Sequence, residues 1–331
     1  MPRILFSATI SILLLYSCNT NEITEIRGYT MGTTYSIKAI DLNLGKELAK
    51  NKIDSILHAI NLEMSTYIDS SQISKFNKIS KGNKFYINKD FFKVITRAKI
   101  FNHLTNGLFE PTINPLVELW GFSKDGYLKE VPSETKIDSA LSLVGLNNLI
   151  IHNDQSISKN RMISLDLSAI AKGYGVDKIS EYLTENGCSD YMVEIGGEIR
   201  ASGTNKDGKE WVAGLQRPNK NTGELAMRIK LKDISLATSG NYRNYYDIDG
   251  KRYSHIISPL TGYPIENDIL SVSVLSKECI DADAFATSLI LYSAEEGINF
   301  VENIDQVEVL YIMRDNSMIY SKGFSSYFNQ N

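Results

Sequence analysis

Histidine is scarce in this chain of 331 residues, and the zinc-binding spacing His-Glu-x-x-His does not occur in it. The four histidines are His58, His103, His152 and His255. The first two fall on predicted helices and the third at a predicted strand end, where packing or surface roles are expected. The sequence therefore argues against a zinc enzyme.

An excess of one sign of charge is also lacking. Lys and Arg number 35 against 39 Asp and Glu, which gives a formal net charge of -4. A weakly acidic chain gives no electrostatic reason to expect nucleic acid as a partner. The patterns G-x-x-x-x-G-K-[ST] and strand-linked G-x-G-x-x-G are absent too, so the common nucleotide-binding loops are excluded.

A hydrophobic run occurs at the N-terminus. Arg3 precedes an apolar stretch over residues 4–16, and Cys18 follows it. The stretch is too short to span a bilayer as a helix, and its charged start and small-residue boundary are typical of a secretory signal. The cysteine at this boundary resembles the lipobox of bacterial lipoproteins, although Tyr16 is bulkier than the usual lipobox residue.

The N-terminal pattern divides the chain into three parts. We expect residues 1–17 to be a removed signal peptide, Cys18 to carry the lipid, and residues 18–27 to form a tether. Residues 28–331 then form one domain on the periplasmic side of the cell membrane. The alternative is a plain signal peptide with an incidental cysteine.

Cysteine is otherwise rare, since only Cys188 and Cys279 remain. Their spacing is not that of a metal motif. Export would permit a disulfide between them, and the alternative is that both are partly buried small residues.

Helical and alternating hydrophobic spacings are intermixed along the chain. Strands are predicted near residues 35–39, 191–195, 227–231, 272–274 and 307–313, and helices near 53–60, 91–101, 168–183 and 282–292. The Ser-, Asn- and Lys-rich stretch 70–84 is predicted to be irregular. Because no regular βαβ alternation is present, the predicted fold class is α+β, with mixed sheets packed against helices.

One candidate metal site lies in the small-residue segment 281–287. Asp283 and Thr287 are four residues apart, so a helix would place both side chains on one face. A carboxylate and a hydroxyl at that spacing suit Mg²⁺, which prefers oxygen ligands. The alternative is that Asp283 caps the helix.

A candidate anion site lies at residues 165–175. Ser168 can cap a helix whose N-terminus offers free N–H groups to an anion, and Lys172 could reach a phosphate. Gly173 and Gly175 would allow close approach of another backbone or a ring. The alternative is a close-packed helix with an exposed lysine.

Two further segments, 238–242 and 253–264, are rich in turn formers and hydroxyl groups. His255 lies in the second of them, which makes it the strongest functional candidate among the histidines. A buried, hydrogen-bonded structural histidine is the alternative.

Together, these segments resemble the ApbE-type FAD:protein FMN transferases. The resemblance runs in order across nearly the whole mature chain and is carried by residues 31–35, 64–67, 73–77, 107–112, 115–122, 166–177, 193–198, 237–242, 253–264 and 282–287. Two departures occur. Glu110 stands where Asp is commoner, and Ser258 precedes Pro259 where Asp or Asn is usual.

The resemblance implies an ApbE-like fold and a set of site residues. The implied Mg²⁺ ligands are Asp283, Thr287 and the backbone carbonyl of Ala169. The implied FAD contacts are Met31, Tyr67, Leu108, Phe109, Glu110, Asp166, Lys172, His255 and Ile256. The implied general base is His255, with Asp283 as the second candidate.

The implied reaction splits FAD, releases AMP and links FMN through a phosphoester to a Thr or Ser of another protein. Expected acceptors are exported or membrane-bound redox proteins that carry Asp-x-x-Thr/Ser-Gly-Ala-Thr, a pattern absent from this chain. Two alternatives stay open: a metal-dependent FAD pyrophosphatase, in which water replaces the hydroxyl, and a non-catalytic flavin-binding lipoprotein.

Overall fold

The computed structural model describes residues 22–122, 130–218, 224–241 and 245–328. The predicted signal peptide, Cys18 and Tyr242 lie outside these ranges. Within the described ranges no helix combines the length and the apolar character needed to cross a bilayer.

An eight-stranded sheet forms the centre of the molecule, and its neighbouring strands pair antiparallel wherever their register is defined. Its order is β1-β2-β6-β7-β10-β13-β14-β15. These strands are β1 (Ile23–Thr30), β2 (Thr33–Ile40), β6 (Tyr191–Ile195), β7 (Glu198–Ser202), β10 (Ile234–Gly240), β13 (Ile269–Ser276), β14 (Glu308–Met313) and β15 (Met318–Tyr320).

Three smaller sheets surround the main one. One is formed by β3 (Phe85–Tyr86), β5 (Ser156–Lys159) and β4 (Leu149–Ile151), and the two others are hairpins: β8 (Trp211–Gln216) with β9 (Leu225–Leu231), and β11 (Tyr245–Ile248) with β12 (Lys251–Ser254).

The helices of the described ranges are α1 (Lys46–Met64), α2 (Gln72–Lys78), α3 (Lys89–Leu104), α4 (Asn114–Leu119), α5 (Glu134–Leu141), α6 (Ser168–Glu185), α7 (Cys279–Leu289) and α8 (Ala294–Val301). Short 3-10 helices span Leu146–Asn148 and Lys322–Tyr327. The α+β prediction is confirmed.

Most of the predicted helices and strands occur where the hydrophobic spacing of the sequence predicted them. Two predictions were wrong. The stretch 70–84 contains α2, whose N-cap Ser71 accepts a hydrogen bond from the N–H of Ser74 and whose Ile73 and Phe76 are buried. In addition, residues 23–27 of the predicted tether belong to β1, because their backbone pairs antiparallel with β2.

The two remaining cysteines are free and buried, so no disulfide joins them. The thiol of Cys188 lies 3.5 Å from the carbonyl of Ile40, and that of Cys279 lies 3.6 Å from the carbonyl of Ile199. Both are small core residues, as the alternative interpretation of the sequence had it.

Helices α6 and α7 approach each other closely at Gly173. A Cβ at this position would lie 2.3 Å from the carbonyl oxygen of Cys279 and 2.8 Å from the Cβ of Asp283. The neighbouring turn of α7 is fixed by Asp177 of α6, whose carboxylate accepts the N–H groups of Cys279 and Ile280 at 2.9 and 2.8 Å. Asp177 therefore caps α7, and Asp283 is left for another task.

We expect Gly173→Ala to lower the free energy of unfolding by about 1–3 kcal/mol or more, because the added methyl group meets backbone that cannot move away cheaply. Denaturant unfolding would measure the loss. Gly45→Ala is the matched control, since nothing lies within 4 Å of a Cβ at Gly45; its change should stay below about 1 kcal/mol. Equal losses in both variants would contradict the close-contact explanation.

Candidate active site

Two adjoining cavities open around the N-terminus of α6. The larger has a volume of about 750 Å³ and the smaller about 650 Å³. Tyr67, Asp166 and Ser168 line both, so they lie at the junction. The sequence-predicted residues that line the larger cavity are Tyr67, Leu108, Phe109, Glu110, Asp166, Ala169, His255, Ile256 and Thr287, and Met31 and Lys172 line the smaller one.

The start of α6 differs in one detail from the sequence prediction. Ser168 is the first helical residue and not the cap, and the N-cap residue Leu167 makes no side-chain capping bond. Asp166 supplies the missing acceptor, because its Oδ1 accepts the N–H of Ser168 at 2.8 Å. A carboxylate thus already lies at the positive end of this helix, at the junction of the two cavities.

The segment that carries Asp166 is held in place by Asn77 and Lys159, which were not among the predicted site residues. The side-chain amide of Asn77 pairs with the backbone of Leu165 in both directions, at 2.9 and 2.8 Å. The side chain of Lys159 is fully buried. Its ammonium donates to the carbonyls of Phe76, Asn77 and Ile163 at 2.9–3.3 Å. These contacts fix the backbone on which Asp166 is presented to the cavities.

Glu110 organises its own loop. One carboxylate oxygen accepts from the N–H and the hydroxyl of Thr112 at 3.0 and 2.6 Å. The other accepts from the N–H of Leu146 at 3.1 Å and from the amide of Asn102 at 3.2 Å. The longer side chain found here in place of Asp therefore connects the loop after α3 to residues near 146, while it also lines the larger cavity.

The other departure from the family pattern also has a local task. The hydroxyl of Ser258 accepts the N–H groups of Leu260 and Thr261, both at 3.3 Å. This is the turn-stabilising bond that Asp or Asn would make at the same position. The Ser258 side chain can therefore replace the usual residue in the turn.

The two aromatic residues predicted to contact flavin have different environments. Tyr67 is 74% exposed and lies at the junction of the cavities, whereas Phe109 is 2% exposed. The Phe109 ring packs on Phe101 with a centroid distance of 5.9 Å. Tyr67 is thus available to stack on a planar ligand, and Phe109 belongs chiefly to the core.

Truncating the Tyr67 side chain should therefore lower the affinity for FAD, whereas truncating the Phe109 side chain should lower the stability of the fold. Tyr67→Ala should weaken FAD binding about tenfold, the usual scale of a lost base–aromatic stack, with little change in melting temperature. Phe109→Ala should cost about 3–5 kcal/mol of stability through a core cavity. Flavin fluorescence titration and thermal unfolding would measure the two effects. A Tyr67→Ala variant that loses stability as much as affinity would show that its ring is part of the core.

His255 lies in the wall of the larger cavity. Its ring meets Phe122 edge-on at a centroid distance of 6.2 Å. Tyr253 lies close to His255 in the chain, and Trp120 and Tyr246 both stack on it, at centroid distances of 5.5 and 5.8 Å. This aromatic packing fixes the hairpin that presents His255. The other three histidines lie elsewhere: His58 and His103 are exposed, and His152 contacts Ser158 at 2.9 Å.

A buried charge cluster lies beside the smaller cavity. The Lys172 ammonium is 2.8 Å from Oε1 of Glu198 and 3.5 Å from Oδ1 of Asp283. Both acids are only 3% exposed. Burial opposes the charge on Lys172, but the carboxylates of Asp283 and Glu198 outweigh it and raise the lysine pKa. Burial raises the pKa of Glu198, and the Lys172 ammonium opposes that shift.

The donors available to a metal ion are all oxygens. The Gly173 N–H, which an unbroken α-helix would direct to the carbonyl of Ala169, donates to Oδ2 of Asp283 at 2.9 Å. Thr287 lies on the same helix as Asp283, and its hydroxyl is 3.5 Å from that of Ser239. A carboxylate, a hydroxyl and a carbonyl fit Mg²⁺, which commonly completes its shell with water and phosphate oxygens.

Among the described residues, no group of three or more His, Cys, Asp or Glu side chains could hold a metal. Among the proposed ligands, Asp283 supplies the only carboxylate. The sequence alternative that Asp283 caps α7 is wrong, because Asp283 lies in the second turn and Asp177 makes the capping bonds.

Known proteins share both the sequence and the fold. The ApbE family model matches residues 31–311. The FAD:protein FMN transferase of Vibrio cholerae serotype O1 is 38% identical over 323 residues, which cover 97% of this chain and 95% of that protein. The FAD:protein FMN transferase of Haemophilus influenzae is 35% identical, with 90% of this chain and 89% of that protein covered.

Solved structures agree with these matches. The flavin transferase ApbE from Vibrio cholerae superposes with a TM-score of 0.84 at 37% identity, over 93% of this chain and 99% of that chain. The apo form of Pseudomonas stutzeri flavinyl transferase ApbE gives 0.84 at 29% identity, over 94% and 98%.

A two-part cavity that borders buried titratable side chains is typical of an enzyme active site, and the fold that carries it is that of the flavin transferases. The chain belongs to the ApbE family.

Proposed function

We propose that this chain cleaves FAD and attaches FMN to a Thr or Ser hydroxyl of an acceptor protein, with Mg²⁺ bound at Asp283 and AMP as the second product. The observation that carries this is the pair of cavities joined at the N-terminus of α6. FAD has two ring systems connected by a diphosphate, and the joined cavities can take one ring system each. Because the Asp166 carboxylate already lies at the positive end of α6, the charges that would offset the diphosphate are those of Lys172 and Mg²⁺. The names of the similar proteins support the same reaction.

The residues in and beside the two cavities have separate tasks in this reaction. Asp283, Thr287 and the carbonyl of Ala169 would hold Mg²⁺, which when bound would offset charge on the diphosphate. Lys172 donates to the transferring phosphoryl oxygens and stabilises their charge as it develops. Tyr67 stacks on one of the two ring systems of FAD.

The acceptor oxygen forms a bond to the phosphorus nearest the flavin, and the bond from that phosphorus to the oxygen of AMP breaks. The proton of the acceptor hydroxyl passes to the imidazole of His255 and then to solvent. Asp283 is the weaker candidate for this base because Oδ2 is engaged by Gly173 and Oδ1 faces Lys172. His255 lies in the cavity wall, where an acceptor can reach it.

We also propose that Cys18 carries a lipid anchor and that the acceptors are exported or membrane-bound redox proteins. Anchoring on the periplasmic side of the membrane would raise the effective concentration of such acceptors.

Mass spectrometry tests the reaction. The protein is incubated with FAD and Mg²⁺, with and without a domain that carries Asp-x-x-Thr/Ser-Gly-Ala-Thr. An FMN adduct should form on the acceptor, depend on its final Thr, require Mg²⁺ and be accompanied by AMP. Free FMN without an adduct, despite a competent acceptor, would indicate a pyrophosphatase, and unchanged FAD would indicate a flavin-binding protein.

A further inference from the structure

Lys172 has two counter-ions, and the closer one is Glu198. The ammonium is 2.8 Å from Glu198 and 3.5 Å from Asp283. The other oxygen of Asp283 accepts the N–H of Gly173 at 2.9 Å. Oδ1 of Asp283 is therefore the oxygen for which Lys172 and a metal ion would compete.

The backbone fixes the position of Glu198. Gly196 and Gly197 form the turn between β6 and β7 with φ of +63° and +106°, a conformation that favours glycine. At Gly196 a Cβ would also lie 2.7 Å from the side chain of Thr33. The first residue after this turn is Glu198, which pairs with Ile195 and is buried. Among the described residues, its Oε2 has no hydrogen-bond partner.

A buried carboxylate is costly unless a cation offsets its charge. When all three groups are ionised, one ammonium and two carboxylates give this cluster one net negative charge, and the Lys172 ammonium opposes the rise in the pKa of Glu198 that burial causes. Without Glu198 the cluster would be neutral, and Lys172 would have Asp283 as its remaining carboxylate partner here. A divalent cation at Asp283 would then have to displace the ammonium or lie beside it, and like charges at short distance repel.

We propose that Glu198 is a positioning residue that holds the Lys172 ammonium, so that Asp283 is free to bind the divalent cation. This inference rests on the proposed function, in which Asp283 is a Mg²⁺ ligand. Glu198 would act through Lys172, and it is not one of the proposed metal ligands. Glu198 would thereby keep both the Lys172 ammonium and the Mg²⁺ ion near the diphosphate, where each would offset negative charge.

The test is the affinity of the full mature protein for Mg²⁺ alone, measured by titration calorimetry without FAD. Glu198→Gln keeps the shape of the side chain and removes its charge, so it should raise the Kd for Mg²⁺ about tenfold, within the usual range of coupling between two sites. Glu198→Asp keeps the charge and should recover most of the affinity. Glu194→Gln is the matched control in the same hairpin: its carboxylate accepts the N–H of Gly197 and should leave the Kd unchanged.

A double-mutant cycle separates an action through Lys172 from a direct effect of charge. In a Lys172→Met background there is no ammonium to displace, so Glu198→Gln should change the Kd less than about twofold, well below an ordinary coupling. The same tenfold change in both backgrounds would overturn the proposal. So would a Glu198→Gln protein that loses melting temperature but keeps the wild-type Kd.

The failure of the proposed metal site gives a different result. If the wild type binds Mg²⁺ no better than Asp283→Asn, the Mg²⁺ site and this inference are both wrong. If the wild type binds Mg²⁺ and transfers FMN but Glu198→Gln binds equally well, only the role of Glu198 is wrong. If Lys172→Met does not fold, the Kd values of Glu198→Gln and Glu198→Asp for Mg²⁺ still show whether the charge at residue 198 matters.

Discussion

Replacing Asp283 by Asn should reduce Mg²⁺-dependent FMN transfer by more than about a hundredfold, since changes in the outer shell of a metal site alone cost 10- to 100-fold. Asn keeps the size of the side chain but removes the only carboxylate among the proposed ligands. The fold should survive, because α7 is capped by Asp177 and not by Asp283. Thr287→Val should weaken transfer less, because a neutral hydroxyl is lost and the charge stays.

Asp281→Asn is the matched control two residues earlier on α7. The carboxylate of Asp281 pairs with Arg97 of α3 through two hydrogen bonds of 2.6 and 2.5 Å. Its loss should cost about 1–3 kcal/mol of stability, as for hydrogen bonds to charged groups, and leave the Mg²⁺ dependence of transfer intact. Transfer and melting temperature of both variants give the comparison. Near-normal Mg²⁺-dependent transfer by Asp283→Asn would show that Asp283 is not a metal ligand.

Local patterns in the sequence predicted most of the elements that support the site. The spacing of Ile53, Leu57 and Ile60 predicted α1, and all three side chains are buried. Helix α2 was missed because its seven residues carry only two buried apolar side chains within a polar stretch. The signal that could have found it was Ser71 in the cap position before Ile73 and Phe76.

Contacts between distant parts of the chain could not be predicted in the same way. Asn77 and Leu165 are 88 residues apart, and their pairing appears only once α2 lies against the segment before α6. Glu198 lies in the segment 193–198, which carries part of the family resemblance. Nothing in the local sequence indicated that the turn at residues 196–197 would bury it beside Lys172. Gly173 was the exception, because a glycine within a helical pattern predicts a close approach, and α7 makes that approach.

The exposure of single side chains was the least predictable property of the site. Tyr67 and Phe109 are both aromatic and both lie in segments that carry the family resemblance, yet one is exposed at the cavity junction and the other lies in the core. The difference arises because the chain turns back after α3, which ends at Leu104, and the Phe109 ring packs onto Phe101. Burial of this kind depends on which element covers a residue, and a linear pattern does not contain that information.

The start of β1 bears on where the proposed anchor would hold the enzyme. The strand begins at Ile23, five residues after Cys18, and runs to Thr30. The turn that follows contains Met31 and Gly32, which line the smaller cavity. A strand of eight residues spans about 25 Å, so β1 separates its Ile23 end from the cavity. A lipid on Cys18 would therefore attach the enzyme through the end of β1 that lies away from the cavity.

Cys18→Ala should move the protein from the membrane fraction to the soluble fraction, or leave it as an unprocessed precursor. A thioether-linked lipid needs the Cys18 thiol, and Ala has no group to which the lipid could be attached. Fractionation followed by mass measurement of the N-terminus would show the change. Cys188→Ala is the matched control, because its thiol is buried against Ile40 and should not affect location. A Cys18→Ala protein that is processed and still sediments with membranes would show that the cysteine is incidental to an ordinary signal peptide.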